Sequence, residues 1–152
     1  MTEDHIQAFS DLFGLIYKDN EDAISISFKL LETAHTWDDL IDGDEVKPNA
    51  INSAFIALGF ELQQYEIWHS AGLAHHLLNC YLRWRDATNI ERGDHTDSDL
   101  HKCYMLRAGL YDLFVIIAYH LYGDEWACDV GPIVRKFYGE TLEEYMGEMK
   151  NA

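Results

Sequence analysis

Basic residues are scarce in this 152-residue chain: 11 Lys and Arg stand against 27 Asp and Glu, a formal net charge of −16. Binding directly to a phosphate backbone needs a basic footprint, so no direct contact with nucleic acid is expected. Cysteine is also sparse. Cys80, Cys103 and Cys128 lie far apart with no CxxC spacing, which reads as buried, reduced thiols in a cytoplasmic protein rather than a disulfide framework or zinc knuckle. Only two prolines interrupt the chain. The longest apolar run, Leu113 to Tyr119, falls far short of the ~20 residues that span a bilayer, and the acidic start Met1–His5 is unlike a secretory leader. No membrane association is expected. A Gly-rich phosphate loop, a nucleophile elbow and a Cys-His pair are all lacking.

What remains is helical periodicity. Hydrophobic residues make up 48% of the chain, against disorder, and the length suits one domain of ordinary size. Ile6, Phe9, Leu12, Phe13 and Ile16 mark one face of a helix over 4–18. A second helix is predicted over 21–41, capped by Gly43. Pro48 is placed to open a third, with helical spacing continuing to about Thr88 and Gly59 placed to bend it. A polar linker is predicted over 89–97, with Ser98 capping a helix that runs to Tyr122. Gly123 ends that helix. The following one is expected to split at Pro132, and a short terminal helix covers 141–150. The expected fold is all-α: one domain, an up-and-down bundle of four to five main helices with short C-terminal helices.

The chemistry concentrates in residues 32–45, where one histidine and six carboxylates (Glu32, Asp38, Asp39, Asp42, Asp44, Glu45) meet a predicted helix end. Carboxylates there oppose the helix dipole by about 0.3–1 kcal/mol each and invite a cation. At about 100° per residue, Ile24, Phe28, Leu31, His35, Asp38 and Asp42 form one stripe, with Trp37 and Ile41 on the adjoining side as core. Asp38, Asp42, Asp39 and His35 are therefore the candidate metal ligands. Hard oxygen donors favour Mg²⁺ or Mn²⁺ over Zn²⁺.

Asp38-Asp39-Leu40-Ile41-Asp42 resembles the aspartate-rich motif of the isoprenoid diphosphate synthases. That resemblance, over five residues, implies Asp38 and Asp42 as ligands of Mg²⁺ ions that hold a diphosphate.

A second half-site could come from His69, His76, Glu66 or Asp112, since facing helices build sites in bundle cores. Asp112 either pairs with Arg107 or points into a polar site. Arg83, Arg85 and Arg107 are the candidate anion-binding groups. The leading expectation is thus a divalent-metal protein that handles a phosphorylated small molecule, with enzymatic activity left open. The alternative is a non-catalytic acidic interaction protein, such as a DNA mimic that occupies a nucleic-acid-binding partner. A homo-oligomeric helical module is the third.

Overall fold

In the computed structural model, which describes residues 2–151, the chain is all-α, with no strand among the described residues. It divides into two compact units, Met1–Leu73 and Ala74–Ala152. No helix among the described residues is long and apolar enough to cross a membrane.

The first unit is built on α1 (Glu3–Tyr17) and α2 (Glu21–Asp42). Thr2 caps α1 through its side chain, and Asn20 caps α2, its Oδ1 accepting from the Ala23 amide at 3.0 Å. Between them the chain reverses through Lys18 and Asp19, both left-handed (φ 50° and 58°). Gly14 makes room for that turn, since a Cβ there would sit 3.1 Å from the Asp19 carboxylate. Phe9, Leu12, Phe13, Ile16 and Tyr17 of α1 are buried, as are Ala23, Ile26, Leu30 and Leu31 of α2. The two helices pack together, with Phe13 edge-on to Phe28 at 5.1 Å and the Tyr17 and Ser27 hydroxyls 2.8 Å apart. Gly43 (φ 84°) ends α2, its amide donating to the Asp39 carbonyl.

After Pro48, at the first position of α3 (Pro48–Ile56), the helical spacing does not continue as one or two long helices. A π-turn over Ala57–Glu61 carries Gly59 and passes into a 3₁₀ turn over Leu62–Gln64. Tyr65 is extended, α4 (Glu66–Ser70) is one short turn, and Gly72 (φ 63°) reverses the chain before α5 (Leu73–Glu91).

The second unit holds most of α5 together with α6 (Asp97–Arg107), α7 (Leu110–Lys136) and α8 (Leu142–Asn151). The cap of α6 is Thr96 rather than Ser98: Thr96 and Asp99 exchange side-chain and backbone hydrogen bonds in a capping box. With α5 running to Glu91, the linker is shorter than the sequence pattern suggests. The expected helix to Tyr122 is broken at Ala108–Gly109. Gly109 is buried, and a Cβ on it would meet the Leu106 carbonyl at 3.2 Å and the Arg83 guanidinium at 3.5 Å. The break lets Arg83 pass close to the backbone.

Helix α7 is a folded-back pair. Gly123 adopts φ 82° and ψ −176° in its middle. Beyond it, a Cβ on Gly131 would sit 3.7 Å from the Val115 side chain, and Arg135 reaches Asp112. Pro132 does not split the second half, contrary to the sequence expectation; it is exposed, while Val130, Gly131 and Val134 around it are buried. Packing against the first half outweighs the one hydrogen bond proline removes. Cys128 also departs from expectation. It is exposed, because Ala127 and Val130 occupy the inward positions of that turn.

A small core of Ala87, Leu100, Cys103 and Tyr145 joins α5, α6 and α8. At its edge the Glu91 side chain is only 6% exposed and pairs with Arg107. Arg107 Nε donates to Glu91 at 2.8 Å, and the Tyr145 hydroxyl donates to the same carboxylate. Burial pushes the Glu91 carboxyl up, but the Arg107 guanidinium and Tyr145 hydroxyl outweigh it and hold it below the usual glutamate value. A depressed carboxyl stabilises the fold above its unfolded pKa and loses that contribution as pH falls through the folded value. Arg107→Ala strands a buried carboxylate and is expected to cost about 2–4 kcal/mol in urea unfolding at pH 7. Glu91→Gln is expected to flatten the loss of stability below about pH 4.3; an unchanged acid limb contradicts this role for Glu91.

Candidate functional site

A groove of about 510 Å³ lies in the first unit between α2 and the segment from α3 to the π-turn. Its α2 wall carries Lys29, Glu32, Thr33, His35, Thr36 and Asp39, positions spaced three and four apart that share one helical face. The opposite wall carries the small side chains of Ala50, Ser53, Ala54 and Ala57 together with Ile56, with Glu61 at its end. Small residues there let the two walls approach while leaving the carboxylates of α2 room to project.

Lys29 lies where the walls meet and pairs with Glu61 at 2.5 Å. That hydrogen bond, ahead of the opposing effect of desolvation, raises the lysine's pKa. Lys29 and Glu61 also border a neighbouring depression lined by Asp22, Gln64, Tyr65 and Glu66. The Ser25 and Tyr65 hydroxyls, 2.8 Å apart, fasten α2 to the residue that follows the 3₁₀ turn.

The groove takes in part of the sequence-predicted cluster. His35 and Asp39 line it; Asp38 and Asp42 do not. The reason is rotational for Asp38 and axial for Asp42. The apolar face of α2 centres on Ala23, Ile26 and Leu30 and packs toward α1, whereas the groove face carries Thr33 and Thr36. At about 100° per residue, Asp38 lies roughly 140° from the mean direction of the groove-lining residues, whereas Asp42 shares the direction of His35 but lies two turns beyond it, at the helix end. Asp38 is half-buried, Asp42 is exposed at the helix end, and Trp37, read from sequence as core, is 44% exposed. Glu32 and Glu61 also line the groove. Glu32 could have been found, since it is seven residues before Asp39. The exact placement of Glu61, opposite Lys29, depends on the π-turn.

Among the described residues, no three His, Cys, Asp or Glu side chains gather as a set able to hold a metal ion. The residues present therefore do not form a ready cage for Mg²⁺ or Mn²⁺.

The other candidates have separate employment. His69 Nε2 lies 2.8 Å from the Gln63 carbonyl, which it can bond as a donor, and Glu66 sits at the start of α4 and lines the neighbouring depression. His76 is exposed on α5 in the second unit. Asp112 pairs with Arg83 at 2.6 Å and with Arg135, not with Arg107. Burial acts to raise its carboxyl; the two arginines overcome this and lower it. Of the expected anion-binding arginines, Arg83 is held by Asp112, Arg107 by Glu91, and Arg85 by its neighbour Asp86 at the surface.

One groove residue has an unmet polar atom. Thr33 Oγ1 is buried without a hydrogen-bond partner, whereas Thr36 Oγ1 donates to the Glu32 carbonyl at 2.9 Å. An unsatisfied buried hydroxyl costs about 1–3 kcal/mol, and an apolar group of the same shape removes that cost. Thr33→Val is expected to stabilise the chain by about 0.5–1 kcal/mol in thermal or urea unfolding, with no such gain for Thr36→Val. A clear loss on Thr33→Val means that the hydroxyl has a partner drawn from the groove.

No protein-family model matches the chain, and neither the curated proteins nor the solved structures include a match.

Proposed function

We propose that the chain is a non-catalytic acidic interaction protein whose first unit engages a basic partner, such as a nucleic-acid-binding protein whose cationic surface it occupies. The observation that carries this reading is the charge of the first 73 residues: Lys18, Lys29 and Lys47 are the only basic residues, against fourteen Asp and Glu, a net of −11. One of those lysines is already paired with Glu61. Glu32 and Asp39 stand on the α2 wall of the groove without a basic residue other than Lys29 lining it. Such a field accelerates encounter with a cationic surface and suppresses association with anionic ones.

The test is calorimetric titration of the full chain with a lysine decapeptide and a glutamate decapeptide. The lysine peptide is expected to bind saturably at low salt and to weaken steeply between about 0.05 and 0.3 M salt as screening shortens to below 10 Å. Glu32→Lys/Asp39→Lys should weaken it further. Equal binding of both peptides, or none of the lysine peptide, overturns the reading.

A second reading keeps a divalent cation with a phosphorylated ligand. His35 and Asp39, one helical turn apart, share the groove with Glu32 and Glu61, and an incoming phosphate could complete a shell that the side chains alone leave short. Titration with Mn²⁺ in the presence of inorganic pyrophosphate tests it. Saturable heat that is lost in His35→Ala/Asp39→Ala supports this reading, and its absence in the unmodified chain removes it.

A further inference from the structure

Helix α8 covers a buried thiol. Tyr145, 1% exposed, is its anchor, and Met146 and Met149 pack beside it against Ala87, Leu100 and Cys103. Cys103 is fully buried, its thiol 3.7 Å from the Ala87 carbonyl, and the Tyr145 side chain reaches it as well as the Glu91 carboxylate. With ten residues, α8 is too short to stay helical by itself, since isolated helices below about 12–15 residues are marginal in water. Docking and folding of α8 are therefore one event, and the helix is either seated over Cys103 or lost.

Two attachments seat it. One is the Tyr145 bond to Glu91, whose charge is held by Arg107. The other lies in the linker before α8. The Tyr104 hydroxyl of α6 donates to the Glu140 carbonyl at 2.7 Å, and the Tyr138 hydroxyl donates to the Glu140 carboxylate at 2.8 Å. The Tyr104 and Tyr138 rings are 5.7 Å apart, and Tyr111 of α7 meets Tyr138 at 5.4 Å. Beside this aromatic group Glu140 is half-buried, and its charge is poorly met. Glu144, which accepts from the Thr141 amide at 2.8 Å, and Glu148 act on it from α8 as like charges. Arg107 acts on it from α6 as a cation but is already bound to Glu91. Lys150, the one basic residue of α8, pairs with Asp97 instead. Burial above all, and then the two glutamates, push the Glu140 carboxyl above the usual glutamate value, against the Tyr138 hydroxyl and the Arg107 charge.

We propose that α8 is a lid over Cys103 and that Glu140 makes the lid pH-sensitive, so that it seats more firmly as the pH falls from neutral to about 5. A group whose pKa is raised by folding adds stability below its unfolded pKa and loses it as the pH rises through the folded value. For Glu140 that loss falls above the ordinary glutamate pKa of about 4.3. Protonated, Glu140 no longer repels Glu144 and Glu148 and still accepts from Tyr138. Glu91 is shifted the other way, so it keeps its charge and its Tyr145 bond over the same range. One attachment strengthens while the other holds. The lid belongs to the second unit and stands independently of the groove and its ligand.

The experiment uses the full chain and the rate at which each thiol reacts with dithiodipyridine, resolved by peptide mass spectrometry. Cys128 is exposed and reports the reagent's intrinsic rate at each pH, so the ratio of Cys103 to Cys128 labelling reads the opening of α8. That ratio is expected to be at least about threefold higher at about pH 7.5 than at about pH 5. Glu140→Gln, which keeps an acceptor for Tyr138, is expected to hold the ratio at its low value at both pH values. Tyr145→Phe, which removes the bond to Glu91, is expected to raise the ratio at both while keeping the pH dependence. Circular dichroism checks that both variants stay helical. A ratio that is the same at both pH values, or a pH dependence that survives Glu140→Gln, overturns the role of Glu140. A ratio unmoved by Tyr145→Phe, or Cys103 labelling no faster than global unfolding measured in urea, shows that α8 is not a lid and overturns the proposal.

Discussion

Cations are the limiting resource of this fold. With 11 basic residues against 27 acidic ones, a buried carboxylate cannot count on finding a partner, so the positions of the few arginines and lysines decide which carboxylates can go inside. Glu91 is buried because Arg107 and Tyr145 reach it. Asp112 sits within α7 because Arg83 comes from α5 and Arg135 from the returning half of α7. Each of these pairs joins separate helices or helix halves. Removing one partner therefore leaves a poorly solvated charge at a junction, which is more damaging than losing an exposed ion pair.

The same scarcity divides the two units by role. In the second, Arg83, Arg107 and Arg135 are committed to the half-buried or buried carboxylates of Asp112 and Glu91, and their guanidinium groups serve helix packing. In the first, three lysines face fourteen carboxylates. Lys29 is committed to Glu61, and the acidic side chains of α2 are left to shape the groove. Neighbouring carboxylates raise the free energy of the compact state by mutual repulsion, though at the surface water and salt screen most of it. A protein that keeps such a field gains in return an attraction for cationic surfaces.

Much of the fold was legible because periodicity and caps are local signals. The bounds of α2, the Gly43 cap, the start of α3 at Pro48 and the break at Gly123 follow from spacing and from residues whose backbone preferences are strong. The misplaced features depend on distant contacts. Thr96 wins the cap of α6 over Ser98 because Asp99 completes the reciprocal bonds, a pattern visible in the sequence but outweighed by the polar run before it. The break at Gly109 answers to Arg83, 26 residues away. Pro132 stays helical because Val130, Gly131 and Val134 are buried around it. The candidate site was legible only in part, for a geometric reason. A projection of α2 identifies which residues share a line; it does not say which line meets α1 and which meets α3. His35 and Asp39 line the groove, Asp38 faces away from it, and Asp42 lies beyond its end.

The π-turn links these observations. Inserting one residue's worth of extra rotation between Ala57 and Glu61 changes the facing of everything after it. Glu61 is delivered to Lys29 on the groove side, and Phe60 is delivered to Phe55 on the other. A regular helix through the same residues would swing Phe60 well away from Phe55 and separate the two rings. The turn is locally unfavourable, since π geometry is rare and persists only where other contacts compensate. Here the Lys29–Glu61 pair and the burial of Ala57 and Leu62 hold it in place. The ring pair contributes too, but it remains largely in water and so gives less than a buried pair would.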